Sequence, residues 1–176
     1  MGPTVLLRSR STRALGAAMV VASVAGLASV ALGGTDAILQ FAAPLALFGV
    51  LGWGAFWQPR VEVSDGGVAV VNTLRTVEVP WPAVQSVDGR YGLRLVTAYG
   101  RVTAWGAAAP AGRQRARGAQ SAAANAVTER LEALRSAGHL DDARLERPEP
   151  RTVWHVPLVA ALATLIVATA VLPLLA

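Results

Sequence analysis

Three long apolar runs constrain this chain more than any other feature of its sequence. Residues 14–32, 37–57 and 153–176 contain no Asp, Glu, Lys or Arg. A helix needs about 20 apolar residues to cross a hydrocarbon core roughly 30 Å thick, and each run is close to or above that length. The whole chain is 53% hydrophobic and only 15% charged, which is unusual for a soluble domain. We therefore predict three transmembrane helices, the first two forming a hairpin over residues 14–57.

The first apolar run also fits a cleaved secretory signal. The basic sequence RSRSTR precedes it, and the small residues at positions 29–31 resemble a cleavage site. Cleavage after Ala31 would leave the second run almost at the new N-terminus. Since the run is also longer than a typical signal core, an uncleaved anchor is the preferred interpretation and a signal peptide is its alternative.

The distribution of arginine predicts the orientation, since all 16 basic residues are arginines. Some lie in a basic tail at residues 1–13, the link between the first two runs has none, and the rest lie between the second and third runs. Basic residues near span ends stay on the cytoplasmic side. The tail and residues 58–152 are therefore predicted to be cytoplasmic and the C-terminus extracytoplasmic, in the plasma membrane. Trp53, Trp57 and Trp154 fit an aromatic belt on the cytoplasmic side.

The cytoplasmic segment begins with a β-rich part at residues 58–106. Apolar and polar residues alternate in short stretches that are separated by the turn-like sequences SDGG, NTLR and AYGR. This pattern predicts five or six short antiparallel strands with one buried face. Pro80 and Pro82 cannot donate to a strand ladder, so we expect them to end a strand and to fix Trp81 at that corner.

The rest of the segment is predicted to contain one helix between two linkers. Residues 107–120 form a basic linker, and residues 121–137 carry the apolar spacing of an amphipathic helix that stops at Gly138. Residues 138–152 form a polar linker to the third span at residues 153–176. The predicted fold is thus a membrane protein with three transmembrane α-helices and a small cytoplasmic α+β domain.

Several residues of the β-rich part carry a family pattern. They are Pro59-Arg60, Asp65-Gly66-Gly67, Asn72, Val79-Pro80-Trp81, Val84 and Val87. With them, residues 58–106 resemble bacterial PH-like domains, most closely the actinobacterial type called low molecular weight protein antigen 6, which is usually found beside a transmembrane hairpin. The resemblance implies a strongly bent antiparallel sheet that is closed at one end by the amphipathic helix. A full PH fold has seven strands and five or six are predicted here, so the barrel is either complete or partial.

The resemblance does not carry over a ligand site. In lipid-binding eukaryotic PH domains the first hairpin loop is rich in Lys and Arg, whereas residues 64–67 of this chain read SDGG. We therefore expect no phosphoinositide clamp in this loop.

The sequence also lacks the residue sets on which catalysis depends. It has two histidines, His139 and His155, no cysteine, and no metal-spaced or phosphate-binding motif. We predict no enzyme activity, no catalytic residue, no cofactor, no metal and no small-molecule substrate. Nucleic acid is not an expected partner either, because the net charge of +5 is divided between two segments without a platform of interleaved aromatic and basic residues.

Five residues remain as candidate interaction sites. Arg113, Arg115 and Arg117 lie in the basic linker, where they either contact anionic lipid headgroups or form a solvated loop. Trp81 shares a predicted strand face with valines, which favours a core position over a partner-facing one. Trp105 ends the last predicted strand, and its role is open between the two.

These features favour a non-catalytic membrane protein. Its PH-like domain would bind a protein partner, which includes a second copy of the chain, or organise a membrane complex. The alternative is a weak sensor of anionic inner-leaflet lipid. A transporter component is less favoured, because the three runs contain no charged residue to mark an ion path.

Overall fold

The structure, a computed structural model, describes residues 4–140 and 148–175. The helices are, in chain order, α1 (Arg10–Ala31), α2 (Thr35–Gly52), α3 (Gly112–Ala116), α4 (Ala122–Ser136) and α5 (Val156–Val171). The strands are β1 (Val5–Leu7), β2 (Arg60–Val63), β3 (Gly67–Val71), β4 (Arg75–Pro80), β5 (Val84–Asp88), β6 (Leu93–Thr97), β7 (Gly100–Ala104) and β8 (Arg151–Trp154). The chain divides into two compact units. The helical unit comprises Arg10–Gln58 and the chain from His155, and the sheet domain comprises the chain up to Ser9 and Pro59–Trp154.

The helical unit contains three helices that are long and apolar enough to cross a membrane. They are α1, α2 together with the π-helical turn Trp53–Trp57, and α5 together with the 3-10 turn Leu172–Leu175. Most of their side chains are exposed although they are apolar. Large apolar surfaces are stable only in apolar surroundings, so these helices indicate a membrane protein.

Small residues bring α1 and α2 together. A Cβ atom at Gly49 would lie 2.5 Å from Ser23 Oγ, and one at Gly52 would lie 2.6 Å from Met19 Cβ. Ser23 is buried, and its hydroxyl donates to the carbonyl of Leu45 in the facing helix at 2.8 Å. Helices in lipid associate mainly through such close backbone approach. Glycine and serine therefore set the distance between the two helices.

The starts of α1 and α5 differ most from the predicted helix boundaries. α1 begins at Arg10, before the apolar run, and the guanidinium of Arg13 lies over the ring of Trp57 at 4.4 Å. This cation–π contact stabilises an arginine in the first turn of the helix. α5 begins at Val156, because the first two residues expected in the third span belong to β8. An apolar run alone does not distinguish a strand from the start of a helix.

The sheet domain consists of two antiparallel sheets. One has the strand order β1-β2-β3-β4-β8 and the other the order β5-β6-β7. The β-rich part forms six strands, β2 to β7, in agreement with the five or six predicted there. Of these, β5 lacks strict alternation, because Val84 and Val87 are three positions apart and its pairing with β6 is irregular. The sequence does not predict β1, which lies in the basic tail, or β8, which joins the polar linker to the third span. These strands form the two edges of the first sheet, β1 beside β2 and β8 beside β4.

The two predicted linkers are not wholly irregular. The basic linker at residues 107–120 contains the short helix α3, and the last residues of the polar linker at 138–152 belong to β8. Residues 141–147 of that linker lie outside the described residues.

The core of the sheet domain lies between the two sheets and α4. Fully buried aliphatic residues from both sheets form most of it, namely Val61, Val68, Val70, Val79, Leu93 and Leu95. Val127 and Leu131 of α4 are buried against them. The amphipathic helix predicted at residues 121–137 therefore closes this core, as the resemblance to PH-like domains implies.

Ser121 attaches the start of α4 to the turn between β5 and β6. Its hydroxyl accepts from the amide of Ala124 at 3.1 Å, as an N-cap does, and donates to the carbonyl of Gly92 at 2.6 Å. Its own amide donates to the carbonyl of Gly89 at 3.0 Å. The helix start is thus fixed to a turn that lies 29 residues earlier in the chain.

Candidate interaction surface

Trp81 is a core residue of the sheet domain. It starts the 3-10 turn Trp81–Ala83 directly after β4, and only 3% of its surface is exposed. Its indole Nε1–H donates to the carbonyl of Ser64 at 2.9 Å, which satisfies the one polar atom of a buried tryptophan. The ring is therefore not available to a partner.

Trp105 has the opposite environment. It follows β7, and 70% of its surface is exposed. Its backbone amide donates to Oδ1 of Asn72 at 2.8 Å, while Nδ2 of Asn72 donates to the carbonyl of Thr103 at 2.9 Å. The Asn72 side chain thus pairs with β7 as a strand would and joins the two sheets. The backbone of Trp105 is held while its ring faces solvent.

The candidate arginines lie on and directly after α3. Arg113 and Arg117 are exposed and four positions apart, and Arg115 lies between them in the chain. The Arg117 amide donates to the carbonyl of Gln114 at 3.1 Å, which ends the helical turn. The structure therefore places two of the predicted headgroup-binding side chains on the surface, Arg113 in a short helix and Arg117 in the turn that follows it.

A groove of about 870 Å³ separates the β5–β6 turn from α3 and from the segment that leads to α4. Its lining residues are Val87, Asp88, Arg90, Tyr91, Gly112, Ala116, Gly118, Ala119 and Gln120. Arg90 and Tyr91 are exposed, Tyr91 to 71%, and the Arg90 amide donates to Asp88 Oδ1 at 3.0 Å. The bonds from Ser121 fix the β5–β6 turn to the start of α4, next to the groove.

No local sequence pattern marks this groove. Arg90 and Tyr91 lie in the stretch DGRYG, which reads as a turn, and nothing local shows that α3 lies opposite. The available signal is the presence of an arginine and a tyrosine in a turn, since both residue types are enriched in protein interfaces.

The two histidines lie in different units of the chain, one in each. Among residues 4–140 and 148–175, no group of three or more His, Cys, Asp or Glu is placed to hold a metal ion. His155 Nδ1 lies 2.9 Å from Gln58 Nε2 within the helical unit, and the His139 amide donates to the carbonyl of Leu134 at the end of α4.

Comparison with known families supports the predicted resemblance at the level of the domain. A sequence model of the family described as Bacterial PH domain matches residues 58–137. No curated protein and no solved structure matches the chain. The matched span starts just before β2 and ends just after α4, so it extends beyond the predicted residues 58–106 and includes the closing helix. The chain from β2 to α4 is therefore similar to bacterial PH domains, whereas β1 and β8 lie outside the match.

Proposed function

We propose that this protein is a non-catalytic component of the plasma membrane whose PH-like domain binds a protein partner or organises a membrane complex. The observation that supports this most directly is the groove between the β5–β6 turn and α3, with Arg90 and Tyr91 exposed at its wall. A PH-like domain is in general a module for protein or lipid interaction.

The composition of the groove favours a polypeptide over a phosphate headgroup. Arg and Tyr are the residues that most often dominate the free energy of protein association. Asp88 lies in the same groove, and its carboxylate would repel a phosphate. A polypeptide presents both donors and acceptors and therefore fits a groove that contains both charges. The volume of about 870 Å³ accommodates a few side chains of a partner.

A photo-crosslinking experiment tests this proposal. A benzoylphenylalanine would replace Tyr91 in the full chain, with the same replacement at Tyr99 as a control, since Tyr99 is 50% exposed but does not line the groove. We expect a discrete protein adduct from position 91 that is weakened by Arg90→Ala and is absent from position 99. Equal adducts at both positions, or none at position 91, would refute the groove as the binding site.

We also propose the orientation that the arginine distribution predicts. The three apolar helices would span the membrane with the sheet domain in the cytoplasm and the C-terminus outside. Reporter fusions after Thr35 and Ala176 are expected to report the outside, and a fusion at Gly112 the cytoplasm. An outside signal at Gly112 would overturn this topology. Because the hairpin directly precedes the PH-like domain, we further propose the actinobacterial antigen 6 type for this chain.

A second candidate function is a weak response to anionic lipid, which the exposed Arg113 and Arg117 favour. Each basic side chain near an anionic surface contributes about 1 kcal/mol, so three arginines supply roughly 3 kcal/mol, enough for only about millimolar binding. Covalent attachment to the membrane makes such weak contact useful, because it raises the local concentration of lipid.

Hydrogen exchange of the full chain in nanodiscs tests the lipid candidate. We expect residues 112–117 to exchange more slowly in anionic than in zwitterionic lipid. The difference should disappear as salt shortens the screening length from about 10 Å at 0.1 M to about 3 Å at 1 M. Replacing Arg113, Arg115 and Arg117 by Gln should remove it. Equal exchange in both lipids would leave only the protein-binding proposal.

A further inference from the structure

All connections from the sheet domain to the apolar helices leave from one end of the five-stranded sheet. Leu7 of β1 lies opposite Val61 of β2, and Arg60 of β2 lies opposite Val71 of β3. Arg75 of β4 lies opposite Trp154 of β8. The last residue of β1, the first of β2 and the last of β8 are therefore neighbours at the same end.

The connecting segments are very short. Only Arg8 and Ser9 separate β1 from α1, and only Gln58 and Pro59 separate the π-helical turn from β2. Only His155 separates β8 from α5. An extended chain covers at most about 3.6 Å per residue, so none of these three connecting segments spans more than roughly 11 Å.

The same end exposes three large apolar side chains, Leu74, Trp105 and Trp154, which we call the apolar end. Leu74 is 39% exposed in the β3–β4 turn, which is closed by a bond from the Asn72 amide to the Arg75 carbonyl at 2.9 Å. Trp154 is 56% exposed and lies with its ring 5.7 Å from the Arg75 guanidinium. Trp105 joins them through its bond to Asn72.

We propose that the apolar end inserts into the headgroup region of the lipid leaflet from which the three helices emerge. Tryptophan is the side chain most enriched at membrane interfaces, because its ring is apolar and its N–H remains hydrated. Arg75 beside Trp154 supplies a cation at the level of the lipid phosphates. The lipid contact thus comes from segments that are distant in sequence and meet only in the folded sheet.

Insertion of the apolar end differs from the binding of anionic headgroups that is proposed for Arg113, Arg115 and Arg117. Insertion of Leu74, Trp105 and Trp154 removes apolar surface from water, so it does not require anionic lipid and is not screened by salt. The inference rests on the proposal that the three helices span a membrane, and it adds that the sheet domain contacts the lipid through its apolar end.

Site-directed fluorescence tests the apolar end, since the chain has no native cysteine. An environment-sensitive dye would be attached to Leu74→Cys in the full chain, reconstituted in nanodiscs of zwitterionic lipid. The matched control is Gly66→Cys in the β2–β3 turn, at the opposite end of the sheet, where a side chain meets no neighbour within 4 Å. A third label at Val21→Cys, exposed on α1, reports whether the helix is in the bilayer.

We expect a blue-shifted emission at position 74 that is quenched several-fold by headgroup-level nitroxide lipids, equally at 0.1 M and 1 M salt, and no quenching at position 66. Position 21 should be quenched by nitroxides placed deep in the acyl chains. Quenching at 21 without any at 74 would overturn this inference and leave the membrane-spanning proposal intact. Absence of quenching at 21 would overturn both.

Discussion

Asn72 is predicted to be the residue that holds the two sheets together at the apolar end. Its side chain makes two hydrogen bonds to the backbone of β7 and the residue after it, of 2.9 Å to Thr103 and 2.8 Å from Trp105. A hydrogen bond of this kind contributes about 0.5–1.5 kcal/mol, so Asn72→Ala should cost about 1–3 kcal/mol in the free energy of local opening. Asn72→Asp should cost at least as much, because a carboxylate keeps the bond from Trp105 but places an oxygen against the Thr103 carbonyl.

Hydrogen exchange measures this free energy directly. In Asn72→Ala, the amide of Trp105 should exchange roughly 5- to 150-fold faster, since 1.4 kcal/mol corresponds to a factor of ten. Amides of β5, which does not contact Asn72, serve as the internal control. If both variants left the Trp105 amide within about twofold of its original rate, the side chain would not be what joins the sheets.

The remaining predictions concern packing and capping. Trp81→Ala should destabilise the sheet domain by about 3–5 kcal/mol. Trp81→Phe should cost only about 1–2 kcal/mol, through loss of the hydrogen bond to Ser64. Equal unfolding midpoints for the two variants would contradict this order. Ser121→Ala should cost about 1 kcal/mol and accelerate exchange in the first turn of α4, while unchanged exchange there would exclude a capping role. Gly49→Val should lower the thermal midpoint of the detergent-solubilised chain, because the new side chain would clash with Ser23 and push α1 away from α2. An unchanged midpoint would show that the two helices are not packed as described.

Hydrophobic patterning predicts much of this fold because it acts locally. Charge-free runs of membrane length and period-two alternation each report on neighbouring residues, so the three apolar helices, most of the strands from β2 to β7 and α4 follow from the sequence. The strands β1 and β8 do not, because each is only a few residues long, β1 lies in the basic tail and β8 overlaps the third apolar run. Their pairing partners are far away in the chain, and periodicity carries no information about such contacts.

The candidate surfaces illustrate the same difference. That Trp81 is buried agrees with its place on a strand face beside valines. The groove at Arg90 and Tyr91 and the apolar end at Leu74 depend on contacts between distant segments, such as Ser121 with Gly92. No local pattern marks these contacts, so these residues are identified only in the folded domain.

The edge strands also impose an order on biosynthesis. β1 is made before α1 and α2 but has no partner until β2 is synthesised behind them, and β4 stays an open edge until residue 151 has been translated. An open strand edge is a template for pairing with other chains. A chain that lacks β8 therefore exposes β4, and we expect such a chain to aggregate more readily than one in which β8 is paired.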